Sequence, residues 1–257
     1  VYNAGLDASA GFGAGWRGQV TVNTDFAQVD LDDQVVNLTR YGLFLPEKRD
    51  FFLKDQDLFR FGLPQEAQLL HTRRIGLRGA DAVPIMGGLK TVGQASDWMR
   101  LGLIEVVTRP KAGEPWESHL VARGRAEVGG GSNVGLMMTH RQSLEGAADR
   151  NMVLGVDGAF RGTGVPLLVE SFGLMSITGA DAGAPERATG GAGTGSVTGT
   201  PTDRPVAGGG VQATWRGELF RPSLAYTYLH PKLRADLGYF RRVGIHRWGA
   251  ELEVEPR

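Results

Sequence analysis

Cysteine is absent from the 257-residue chain, which excludes a disulfide framework and thiolate metal sites. No apolar run approaches the ~20 residues that a membrane helix needs. Neither sign of charge is in excess: 28 Lys and Arg face 28 Asp and Glu, which argues against a general nucleic-acid binder. Histidine is sparse, and His71, His119, His140, His230 and His246 form neither an i, i+4 pair nor an H-E-x-x-H motif. Asp30, Asp32 and Asp33 lack the spacing, central glycine and closing glutamate of a calcium loop. No Gly-x-Ser-x-Gly elbow is present, and Gly11-Phe12-Gly13-Ala14-Gly15 lacks the third glycine of a dinucleotide loop. No metal, cofactor or catalytic motif is therefore expected, and the chain is not read as an enzyme.

What is abundant is glycine, 39 of 257 residues, about 15% and roughly twice ordinary usage. These glycines follow no collagen-like period, so they belong to turns, loops and strand positions where backbones come close. With 41% hydrophobic and 22% charged residues, the composition is that of a folded chain. The chain opens on Val1 and closes on Glu255-Pro256-Arg257 directly after a strand-like run, and it is read as part of a larger barrel protein.

The dominant local signal is alternation with period two, the pattern of a strand with unlike faces. Leu120, Ala122, Gly124, Ala126 and Val128 alternate with His119, Val121, Arg123, Arg125 and Glu127. The runs 151–161, 211–219 and 247–254 repeat the pattern. Segments 20–30, 98–109, 133–141, 166–178, 222–229 and 234–243 look like strands with weaker alternation, and 166–178 fits either phase. Runs of this length exceed the usual globular strand and match a tilted bilayer-crossing strand. Trp98, Trp116, Tyr226, Tyr228, Tyr239 and Trp248 stand where interfacial aromatic girdles would be. The expected fold is all-β: a single antiparallel membrane β-barrel domain over residues 1–257.

Two segments depart from that rhythm. Residues 180–210, rich in Gly, Ala, Thr and Pro, are expected to be a disordered loop. Residues 32–75 are expected to hold a short helix, N-capped by Asp32 or Asp33 and ended by Pro46. Dense in charge and aromatics, this segment would plug a lumen or cap one end of the sheet.

Several strings resemble a known signature: Val22-Asn23-Thr24-Asp25-Phe26-Ala27-Gln28-Val29-Asp30, Val36-Asn37-Leu38-Thr39, Phe44 to Leu53 with its Pro46-Glu47-Lys48-Arg49 core, and Arg73-Arg74-Ile75-Gly76. Phe240-Arg241-Arg242 looks like a later motif of the same family. That family of bacterial envelope proteins is catalogued only as a domain of unknown function. The resemblance implies an outer-membrane β-barrel that often follows a carbohydrate-binding-like β-sandwich. Thr24 and Asp50 stand where the family usually has proline, and Lys54-Asp55 replaces its Glu-Gly.

The best candidate site is ionic: Asp25, Asp30, Glu47, Lys48, Arg49, Arg73, Arg74, Arg241 and Arg242. Opposed carboxylates and guanidiniums facing a lumen would set selectivity or grip an anionic solute or glycan. The plainer alternative is a structural network holding the 32–75 segment. The expected function is an outer-membrane pore, transporter or surface glycan-binding platform, with lipid as partner. The alternatives are a hydrolase acting on saccharides through lumen carboxylates, and a soluble β-sandwich binding module.

Overall fold

Alternating sequences pair edge to edge because each strand must satisfy its backbone N–H and C=O groups. The computed structural model describes residues 5–13, 15–23, 47–63, 66–78, 81–110, 115–146, 149–179 and 202–255. Eleven long strands form one sheet: β1 (Leu6–Phe12), β2 (Trp16–Val22), β6 (Ile85–Ser96), β7 (Met99–Thr108), β8 (Glu117–Gly129), β9 (Ser132–Ser143), β10 (Arg150–Arg161), β11 (Leu167–Thr178), β12 (Thr202–Trp215), β13 (Phe220–Leu229) and β15 (Ile245–Val254). Short elements lie between them: helix α1 (Asp50–Leu53), a 3₁₀ turn (Thr72–Arg74), β3 (Ala67–Gln68), β4 (Leu77–Arg78), β5 (Asp81–Ala82) and β14 (Tyr239–Phe240). β3 pairs with β14 and β4 with β5, each as a two-stranded ladder.

The long strands are joined as an up-and-down meander, and every neighbouring pair is antiparallel. At one end the connections 13–15, 97–98, 130–131, 162–166 and 216–219 are tight. Gly129, Gly130 and Gly131 all adopt positive φ in the β8–β9 turn, a conformation that side chains resist. At the other end the connections are longer, at 23–84, 109–116, 144–149, 179–201 and 230–244. Among the described residues β1 and β15 are each paired on one side only, so the sheet is open rather than a closed barrel.

Register decides which side chains share a face. One row reads Leu101, Gly124, Leu136, Val156 and Gly173, and the next reads Leu103, Ala122, Met138, Leu154 and Met175. This outer face is mostly apolar and open, with Leu136 65%, Leu224 66% and Trp248 80% exposed. It carries Glu105, Ser118 and His140 towards the end with the longer connections. The opposite, inner face carries polar and charged groups. Over the central strands it is covered by residues 47–63, 66–75 and 231–240, while edge strands β1 and β15 stay exposed. The buried core lies between that covering layer and the sheet. Phe51, Phe52, Leu58, Phe59, Phe61 and Leu69 meet Ile104, Val106, Val121, Val153, Phe172 and Leu174 there.

Two differences from the sequence reading have physical causes. Residues 202–210, expected within the disordered loop, form the start of β12. Its glycines lie under bulky neighbours: a Cβ on Gly208 would meet Leu229 at 2.9 Å, and one on Gly210 would meet Phe172 at 2.7 Å. The expected strand at 234–243 shrinks to β14, because residues 231–238 turn inward and bury Leu233, Ala235 and Leu237. The helix expected between 32 and 46 and the insert at 180–201 lie outside the described residues, and the helix found is α1.

Candidate functional site

The inner face presents its polar groups in rows. Val106, His119, Arg141, Asn151 and Thr178 stand side by side across five strands. Closer to the tight turns, Val92, Gly102, Arg123, Met137, Gly155 and Leu174 form a parallel row. Two glycines in that row let the covering segment approach. A Cβ on Gly102 would meet Phe59 at 2.7 Å and Leu58 at 2.8 Å, and one on Gly155 would meet Phe61 at 2.5 Å.

Strand side chains reach up and bind the backbone of that segment. Helix α1 leaves carbonyls without intrahelical partners, and Lys90 Nζ donates to Phe51 O and, at 2.8 Å, to Lys54 O. Arg123 Nε donates to Leu58 O at 3.0 Å, while its two terminal nitrogens hold Asp157 at 2.6 and 3.0 Å. Asp157 in turn accepts the Gly62 N–H at 3.3 Å. This satisfies buried polar groups that would otherwise cost free energy on leaving water.

The densest cluster surrounds Arg141, which is 2% exposed. Its Nε donates to Asp236 at 2.6 Å, its Nη1 to Glu117 at 2.8 Å and Asp149 at 3.1 Å, and its Nη2 to the other Asp149 oxygen. Arg234 grips Asp236 from the far side at 2.6 and 3.0 Å. Burial pushes the Asp236 carboxyl upward, but the charges of Arg141 and Arg234 outweigh it and hold it at about 2. Beside it, Asn151 donates to Arg234 O at 3.2 Å and accepts the Asp236 N–H at 2.9 Å. Asn151 also donates to Thr178 at 2.9 Å, and Ser176 donates to Arg234 O. A glutamate from β8, an arginine from β9 and the inward 231–238 loop are thus locked together.

Of the residues singled out from sequence, Glu47 and Arg49 pair bidentately, at 2.7 and 2.6 Å. Arg49 also donates to Ile75 O at 2.7 Å and Thr72 O at 2.6 Å, and its guanidinium lies 4.2 Å from the Phe52 ring centroid. Burial raises the Glu47 carboxyl, yet the Arg49 hydrogen bonds and charge prevail and hold it below the usual carboxylate range. Arg73 is buried in the 3₁₀ turn with Arg74 half-buried beside it, whereas Lys48 is exposed. Exposed Arg241 and Arg242 line a separate hollow of about 390 Å³ with Glu66, His246 and Arg247. Asp25 and Asp30 lie outside the described residues.

Lys90, Arg123, Arg141, Asn151, Asp157 and Asp236 were not in the expected site. The signal for several of them was present, since Arg123 and Asp157 fall on the charged phase of their strands. What was hidden is that their partners come from segments far away in sequence.

Residues 1–90 match the model of a family described as a domain of unknown function, DUF5916. That is about a third of the chain, covering β1, β2, the inward segment and the start of β6. Among curated proteins none matches, and no solved structure matches either. No group of three or more His, Cys, Asp or Glu among the described residues is arranged to hold a metal ion. The clusters pair each carboxylate with a guanidinium, an arrangement suited to holding a segment in place rather than to moving protons.

Proposed function

We propose that the chain is a section of a bacterial outer-membrane β-barrel whose inner side is occupied by the plug-like 47–75 segment, and that it works as a gated conduit or surface-binding platform. The observation that carries this reading is the inverted polarity of the sheet. Its open face is mostly apolar across the strands, with Glu105, Ser118 and His140 towards the long-connection end, while the buried arginines lie on the covered face. Water would disfavour such a face, and an exposed apolar area this wide marks contact with a partner or membrane.

Three further features support it. Ten residues at ~3.3 Å each, tilted by ~40°, span ~25 Å, the height of a barrel's apolar band, and most of the strands have that length or more. Aromatics collect on or beside the outer face at the tight-turn end, with Phe12, Trp16, Trp98, Phe160, Trp215 and Phe220. Towards the other end Tyr226 and Trp248 face each other with ring centroids 4.5 Å apart, whereas Tyr239 lies inside against His71. The unequal connections, tight at one end and long at the other, are also those of such barrels.

Parity adds a constraint. With eleven antiparallel strands, β1 and β15 run in the same direction, so antiparallel closure needs an odd number of further strands. A soluble sandwich would need a second sheet over the apolar face, and the other sheets among the described residues are two-stranded ladders. A saccharide hydrolase would need one protonated and one ionised carboxyl, and Glu47, held low by Arg49, could supply only the ionised one.

The test is fractionation of cells expressing the full-length parent, followed by electrophoresis of the outer-membrane fraction with and without boiling. A band there whose mobility shifts on heating is the expected result. A periplasmic protein with no shift would sink the membrane reading. Single-channel conductance and glycan arrays then separate conduit from platform.

A further inference from the structure

The inward segment encloses a hollow of about 490 Å³, within the size range of small-molecule sites. Its floor is apolar: Phe52, Phe59, Phe61 and Leu69 from the segment, and Ile104 from β7. Polar side chains stand at its wall and mouth, among them Gln56, Arg60 and Thr72. An apolar body with a few convergent polar groups is the usual make-up of a ligand site.

The charges around this hollow do not cancel. Glu47 lines it, but both its oxygens are held by Arg49. His71, whose ring is pushed down to about 4 by burial and then by the Arg74 charge, is neutral at pH 7. Arg60 is exposed and has no ion-pair partner among the described residues, so one guanidinium remains unbalanced at the mouth.

We infer that this hollow binds a small anionic amphiphile, a carboxylate on a short aliphatic or aromatic body, with the apolar part against Phe52, Phe59 and Ile104 and the head on Arg60. A planar guanidinium matches a carboxylate in a bidentate fork. An eight-carbon chain, at ~27 Å³ per methylene and buried over most of its area, fits the space with room for water at the mouth. The site depends on the packing of residues 47–72 and not on closure of the sheet, so it stands or falls separately from the membrane reading.

The probe is radiolabelled octanoate, measured by equilibrium dialysis against the full chain held in amphipol. One saturable site is expected. Arg60→Gln is expected to weaken binding about tenfold or more, through loss of the charge-assisted fork. Leu70→Trp, which fills the hollow, and Gln56→Trp, which blocks its mouth from an exposed position, should each abolish saturable binding. 1-Octanol should compete at least tenfold less well than octanoate. Binding unchanged in Arg60→Gln and Gln56→Trp would place octanoate on the outer apolar face and overturn the proposal. Absence of saturable binding, or displacement by maltose at similar concentration, would overturn it equally.

Discussion

Arg141 and Asp236 lie 95 positions apart in sequence and are joined by a 2.6 Å hydrogen bond in the interior. This contact, not a local turn, decides that residues 231–238 fold over the sheet's inner face. A buried guanidinium with three carboxylates around it is satisfied only when Asp236 arrives to complete the set.

Asp236→Asn therefore leaves Arg234 and Arg141 short of charge in a buried place. Breaking one partner of such a set costs about 3–5 kcal/mol. The expected outcome is loss of amide-exchange protection over 231–240 while the strands β8 to β11 keep theirs. Equal loss everywhere would show that the loop and sheet unfold as one unit.

His71 makes the inward segment sensitive to acid. Its folded value of about 4 lies below the ordinary 6.5, so between those limits the unfolded chain binds a proton that the folded one refuses. Stability is then full above pH 6.5 and falls as pH drops toward 4, by up to ~3 kcal/mol at 1.36 kcal/mol per unit. Urea unfolding at a series of pH values checks this. His71→Asn should flatten the dependence between pH 6.5 and 4, and an unchanged slope would refute it.

Gly155 tests whether the covering segment is a separable layer. A Cβ there meets Phe61 at 2.5 Å and Leu69 at 2.7 Å, so Gly155→Val overpacks the interface by ~1–3 kcal/mol. Limited proteolysis should then cleave within 47–75 while the strands stay intact. A variant as resistant as the parent would mean that the segment shifts to accommodate the side chain.

Leu136 separates lipid from water outside the sheet. It is 65% exposed in the middle of the apolar face. An arginine facing the bilayer midplane costs ~2–4 kcal/mol, whereas one facing water costs almost nothing. Leu136→Arg should lower refolding stability in lipid vesicles by that amount. Stability within ~0.5 kcal/mol of the parent would oppose a lipid-facing surface.

Much of the sheet was legible in the chain itself. The phases of β8, β10, β12 and β15 follow from alternation, because successive side chains on a strand point to opposite faces. β11 was ambiguous, since apolar residues occupy both its faces. Packing of Phe172 against Phe61, with ring centroids 6.1 Å apart, assigns Phe172, Leu174 and Ser176 to the inner side. The glycine run 208–210 resembled a loop because composition does not record the neighbours that demand small residues. The Glu47–Arg49 pair was readable because its members are two positions apart. The Arg141 and Arg123 sets were not, since their partners come from distant loops and strands.

Local pattern thus determined the all-β class and the existence of a charged face and a mostly apolar one, though it did not mark β1 or β6 as strands. Period-two geometry operates within a single strand and needs no partner to be read. Only the tertiary structure decided which face is covered, which loops turn inward and which charges meet. Those outcomes depend on contacts across 34 positions for Arg123 with Asp157 and 95 for Arg141 with Asp236. Such pairings are chosen by satisfaction of buried charge in three dimensions, which no local spacing encodes.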